Sequence, residues 1–114
     1  MTMFRGEVWL VNLDPTIGDE IRKARPAVIV SRDTIGILAL RVVVPLTGWQ
    51  SQFQKADWLI RIDPNATNGL DKPSAADTFQ VRAISTRRFL RQLGQLTPAE
   101  LNRIADGLRT VMEL

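Results

Sequence analysis

Neither histidine nor cysteine occurs among the 114 residues of this chain. Without cysteine there is no disulfide framework, no thiolate nucleophile and no cysteine-bound metal. Without histidine a Ser-His-Asp triad, the histidine-paired chemistry of ribonucleases and nearly all zinc sites are excluded. No glycine-rich phosphate loop is present, and no apolar run approaches the roughly 18 residues a membrane span requires. The N-terminus lacks a charged-then-apolar signal pattern, so the cytoplasm is the expected location. Low-complexity segments and internal repeats are absent too.

What is present suits one small domain. The hydrophobic share of 45% supports a modest core, and the net charge of +3 permits an acidic partner or a nucleic acid. The chain reads as a series of short strands. Phe4–Leu13 alternates imperfectly, as a strand covered on both faces would. Asp14-Pro15-Thr16 with Gly18 marks a long loop, and Ala27–Val30 is an apolar, β-branched central strand. Ser31–Thr34 suits a turn or one helical turn. Leu40–Leu46 is a third strand, with Pro45 favouring an edge or bulge at its end. Asp57–Ile62 reads as a half-buried strand, and Ala75–Ile84 as one further extended segment. A helix closes the chain: Thr97 caps it, Pro98 fits its first turn and Glu100 completes a capping box. Leu101, Ile104, Ala105, Leu108, Val111 and Met112 form its apolar stripe. These elements predict a mainly β member of the α+β class, a curved, mostly antiparallel open barrel with a C-terminal helix laid on it.

The chemistry available is that of arginine, threonine, acids and amides. Pro26 pushes Arg25 out of the helical region, so Arg25 stands at the mouth of a strand with a permanent charge and a fork of donors suited to phosphate. Thr47 stands at the end of the third strand and Gln80 inside a later one. Each has a plainer reading: a surface charge, a hydroxyl bonded in its own turn, a satisfied amide on a sheet face. Trp49, beside Thr47, suits stacking on an unpaired base. Arg22, Lys23, Arg82 and the Arg87–Arg91 cluster offer positive charge.

The blocks RGEVWLVNLDPTIGDE, RPAVIVS, VVVPLT and FQVRAIS, in this order, resemble the MazF/PemK family of toxin endoribonucleases. The resemblance runs through residues 1–114 as one toxin domain. It implies an SH3-like, MazF/CcdB-like barrel, a homodimer, and metal-independent, sequence-selective cleavage of single-stranded RNA (mRNA) with no cofactor. It implies attack of a ribose 2′-hydroxyl on the adjacent phosphate, leaving a 2′,3′-cyclic phosphate and a 5′-hydroxyl. It implies catalysis by Arg25 and Thr47, with Glu20 and Gln80 in the same groove and Glu20 a candidate base. Some relatives carry an acid just before the glutamine; here Phe79 stands there and Asp77 is the nearest acid, which leaves the general base open. A MazE-like antitoxin with an acidic, disordered tail is the implied inhibitor. Two other readings compete: a CcdB-like gyrase-inhibiting toxin, and a non-catalytic SH3-like nucleic-acid-binding module.

Overall fold

A computed structural model describes residues 2–35 and 37–114. Seven strands form one antiparallel sheet: β1 (Glu7–Asn12), β2 (Ala24–Ile29), β3 (Leu40–Gly48), β4 (Leu59–Ile62), β5 (Ser74–Asp77), β6 (Arg82–Ser85) and β7 (Phe89–Gln95). Their order is β4-β5-β3-β2-β1-β7, and β6 also pairs with β3. Among the described residues a single α-helix, α1 (Pro98–Met112), follows. This is the expected class, a mostly antiparallel sheet with one terminal helix.

Alternation along the central strands explains why both faces are covered. On one face Trp9, Val11, Ala27, Ile29 and Val43 pack with Leu13, Ile84 and Phe89. On the other, Val8, Val28, Val44 and Leu46 pack with Ile62, Ala76 and Ile104 of α1. Successive side chains of a strand point to opposite faces, so β1, β2 and β3 each feed two cores.

The long strand β3 organises the rest. Leu40–Val43 pairs with β6, whereas Leu46–Gly48 pairs with β5. Pro45 falls in the gap between those pairings, where an absent N–H is tolerated, and it lies inside the sheet opposite Ala27. The segment expected to be one strand over Ala75–Ile84 is therefore two strands. A 3₁₀ turn, Thr78–Gln80, breaks it. Asp77 accepts a hydrogen bond from the Phe79 N–H at 3.1 Å, and the Thr78 hydroxyl donates to the Trp58 carbonyl at 2.7 Å. Gln80 thus belongs to a turn, and Phe79 is exposed in it rather than sharing a strand face with Asp77. A short 3₁₀ turn also occupies Asp33–Ile35, close to the turn expected over Ser31–Thr34.

The helix forms as its signals dictate. Thr97 Oγ1 accepts from the Glu100 N–H at 3.2 Å, and the Glu100 carboxylate accepts from the Thr97 N–H at 2.8 Å. Its stripe is narrower than the pattern implied: Ile104 is buried, Leu101 and Leu108 are half-buried, and Met112 is exposed. The closest approach comes at Gly107, which is buried. A Cβ there would stand 2.9 Å from Thr78 Cγ2 and 3.2 Å from Ile60. Gly107→Ala should therefore destabilise the protein by about 1–3 kcal/mol through overpacking, despite the roughly 1 kcal/mol helix-propensity gain of alanine. Urea unfolding measures it; a stabilised variant would show that α1 is not seated this tightly.

Candidate active site

Strand register brings Arg25 and Thr47 together. Ala27 lies opposite Pro45; two residues further along each strand, on the same face, stand Arg25 and Thr47. The row continues across the sheet, since Thr47 pairs with Ala75 and Ala75 with Arg61. The small side chain of Ala75 leaves room between Thr47 and Arg61. The result is a groove of about 530 Å³ lined by Arg25, Thr47, Gly48, Trp49, Gln50, Arg61, Lys72 and Pro73. Its lining includes three cationic side chains and no acidic one.

Each group is held in place. Arg25 Nε donates to the Arg22 carbonyl at 3.2 Å, which leaves the four terminal N–H donors of the guanidinium free. Among the described residues, Arg25 has no acidic partner and the Thr47 hydroxyl makes no hydrogen bond within the protein. Arg61 stacks over Trp49 with its Cζ 5.4 Å from the ring centroid, and it also pairs with exposed Asp63 at 2.9 Å. Phe53 meets Trp49 edge-on, ring centroids 5.8 Å apart. Lys72 reaches in because Gly48 has no side chain: a Cβ there would lie 3.3 Å from Lys72 Nζ. The Trp49 N–H donates to the Pro73 carbonyl at 3.0 Å and fixes this segment beside β3.

A second concavity, of about 460 Å³, shares no lining residue with the groove. Glu20, Gln80 and Arg82 line it, with Ile17, Asp19, Pro45 and Phe79. Glu20 and Gln80 are therefore together, but in this separate hollow rather than among the residues lining the Arg25–Thr47 groove. Their polar atoms are engaged. Glu20 Oε1 accepts from the Ile17 N–H at 2.6 Å, closing a turn of the loop. Gln80 Oε1 accepts from the Ile21 N–H at 2.6 Å, and its Nε2 donates to the Asp19 carbonyl at 3.1 Å. Arg82 donates to the Leu13 carbonyl at 3.3 Å. Gln80 and Arg82, expected to hold substrate, thus strap the loop between β1 and β2 to the barrel. Arg22 and Lys23 are exposed on that loop.

Asp77 shares the face of Thr47. It pairs with Leu59, and the β3–β5 register carries it opposite Pro45, with the Leu46–Ala76 pair between it and the Thr47–Ala75 pair. Burial raises its pKa above the ordinary carboxylate value, against hydrogen bonds from the Phe79 and Gln80 backbone and from Gln80 Nε2, the last at 3.3 Å. Among the described residues no three acidic side chains gather as a metal-binding group.

The groove is built to hold a phosphodiester: fixed guanidinium groups, an ammonium, a free hydroxyl and an aromatic wall. The sequence missed Arg61 and Lys72, because both depend on the pairing of β4, β5 and β3. The model of the PemK-like, MazF-like toxins of type II toxin–antitoxin systems matches residues 4–112. The chain belongs to that family. Endoribonuclease MazF9 of Mycobacterium tuberculosis is 36% identical over 98% of this chain and 98% of its own length. A MazF structure from Deinococcus radiodurans superposes with a TM-score of 0.82 at 19% identity, covering 100% of this chain and 99% of that one. A mycobacterial endoribonuclease solved with its cognate antitoxin has a TM-score of 0.77 at 23% identity, covering 99% and 97%. In this PemK/MazF family member, the blocks that carry the resemblance lie on β1, β2, β3 and β6, and those on β2 and β3 bring Arg25 and Thr47 to the groove.

Proposed function

We propose that this PemK/MazF-family chain, one toxin domain over residues 1–114, is an endoribonuclease. It cleaves single-stranded RNA through its own side chains and is held inactive by a cognate antitoxin. The observation that carries this reading is the convergence of Arg25 and Thr47 on one groove with Arg61 and Lys72 and no lining acid. The Mycobacterium tuberculosis relative, an endoribonuclease alignable over nearly its full length, supports the activity.

The reaction is attack of a 2′-oxygen on the adjacent phosphorus. A P–O2′ bond forms, the P–O5′ bond breaks, and the products carry a 2′,3′-cyclic phosphate and a 5′-hydroxyl. Arg25 meets the charge that grows on the non-bridging oxygens; its guanidinium stays protonated, so it stabilises charge without moving a proton. Thr47 donates a hydrogen bond to the same phosphate. Its hydroxyl does not ionise near neutrality, so it is no general base.

Asp77 takes the 2′-hydroxyl proton in this scheme. Three features favour it over Glu20: it shares a sheet face with Thr47, burial makes it a stronger base than an ordinary carboxylate, and Glu20 serves a turn of the loop. Against the three hydrogen bonds they accept, the two Asp77 oxygens keep one lone pair free. The 5′-oxygen takes its proton from solvent. Trp49 offers a base the ring face not covered by Arg61, and Arg22 and Lys23 add exposed positive charge on the β1–β2 loop.

No helix among the described residues is long and apolar enough to cross a membrane. The cytoplasm, where mRNA is the substrate, is the proposed site of action, and a homodimer the proposed working form. Incubation of purified protein with a long single-stranded RNA in EDTA tests the activity. Fragments ending in cyclic phosphate are expected. Binding without cleavage would instead favour the non-catalytic module, and a gyrase-dependent DNA damage response the gyrase inhibitor. Affinity for RNA should fall with salt, log K changing by about −0.7 per phosphate neutralised for each unit of log salt.

A further inference from the structure

A third concavity, of about 370 Å³, lies across a ridge from the groove, and Arg25 and Lys72 line both. Its composition differs from the groove's. Leu10, Pro26, Leu70 and Leu93 supply apolar surface, while Asp71 and Arg91 are its remaining charged groups. Arg91 is placed by β7, opposite Leu10 on β1, and Leu10 is in turn opposite Pro26. Among the described residues, the side chains of Asp71 and Arg91 make no hydrogen bond or ion pair.

The Asp71 side is rigidly built. Asn68 is fully buried, donates to the Asp63 carbonyl at 2.8 Å and accepts from the Leu70 N–H at 3.1 Å. Gly69 has φ +70, and a Cβ there would stand 2.0 Å from the Leu93 carbonyl oxygen. The backbone leading into Asp71 is thus seated against β7, as a recognition element needs.

We propose that this concavity is a nucleobase subsite for the nucleotide adjoining the scissile phosphate. The inference rests on the ribonuclease reading above and extends it to sequence choice. A nucleobase has two apolar faces and an edge of alternating donors and acceptors, and proteins read unpaired RNA bases by such edges. The leucine and proline surface takes a face. The Asp71 carboxylate, acceptor only, takes an amino group, and the Arg91 guanidinium, donor only, takes a neighbouring ring nitrogen or carbonyl. The volume falls within the range of small-molecule sites. With Arg25 and Lys72 holding the phosphate on the ridge, the base beside it drops into this side. One acceptor and one donor at fixed places match the edge of one base better than the edges of the others, so the subsite prefers one base.

Sequencing of 5′-hydroxyl ends from one long RNA, digested by wild type, Asp71→Asn and Arg91→Gln, tests this. Wild type should show a preference for one base at a position next to the cut. Each variant should relax that discrimination by about fivefold to a hundredfold, the worth of one well-placed base contact. An unchanged base distribution would overturn the proposal. So would a loss uniform over all sequences with a shallower salt dependence for Arg91→Gln, which marks a phosphate contact. Failure of the wild type to cleave any RNA would overturn the ribonuclease reading and this subsite with it.

Discussion

Arg25→Ala should lower the cleavage rate by about 10²–10³-fold while leaving the protein folded. The size follows from what the side chain does: it places fixed positive charge where transition-state charge grows, in a groove with no acid to offset it. The fold should survive because Arg25 has no charged partner to orphan. Its Nε bond is to the Arg22 carbonyl, in an exposed loop that water can reach. Arg25→Lys should recover only part of the rate, since an ammonium keeps the charge and loses the fork of donors. Single-turnover cleavage at saturating enzyme measures both, with thermal unfolding alongside. Wild-type cleavage by a folded Arg25→Ala protein would remove Arg25 from the chemistry.

Asp77→Asn should cost about 10²–10⁴ in rate, the range for loss of a positioned general base. Its effect on stability should run the other way. Folded Asp77 holds its proton more tightly than unfolded Asp77, because burial disfavours the carboxylate. Between the ordinary carboxylate pKa and the raised folded one, the native state binds more protons, so stability falls as pH rises through that window and levels above it. Asparagine keeps an oxygen for the Phe79 N–H and cannot ionise. The variant should therefore lose that part of the pH dependence and be no less stable than wild type at neutral pH. Rate profiles should show the acidic limb moving with Asp77. If Glu20→Gln carries the rate loss and Asp77→Asn does not, the loop acid is the proton acceptor.

The parts of this picture that the sequence made legible are those decided by local chemistry. Pro26 holds Arg25 in extended backbone, which proves to lie within β2 rather than before it, and the β-branched run before Thr47 marks β3, so Arg25 and Thr47 stood out without coordinates. The Thr97–Glu100 capping box fixed the start of α1. Pairing between distant strands was not legible. Lys72 enters the groove because Gly48 pairs with Ser74, and Arg61 because it shares a row with Thr47 through Ala75. Strand β7 was hidden because Phe89 is its one buried residue, the rest being polar, small, half-buried or, like Leu90, exposed. The turn at Thr78–Gln80 was hidden for a related reason. Its apolar and polar residues continue the alternation of a strand, and only the transfer from one part of β3 to another forces the break. That break puts Gln80 in a turn, where its amide straps the loop, and leaves Asp77 as the acid on the face of Thr47.

The central claim is that a 2′-oxygen of the RNA itself is the nucleophile, lined up against a phosphate that Arg25 and Thr47 hold. An oligoribonucleotide containing one mapped cleavage site, made with a single 2′-deoxy residue immediately 5′ of the scissile phosphate, tests it most directly. The deoxy oligonucleotide should bind with nearly unchanged affinity and resist cleavage at that site, while the all-ribo control yields a cyclic phosphate end. Cleavage of the deoxy-substituted linkage at a comparable rate would mean that water or a protein group attacks the phosphorus instead.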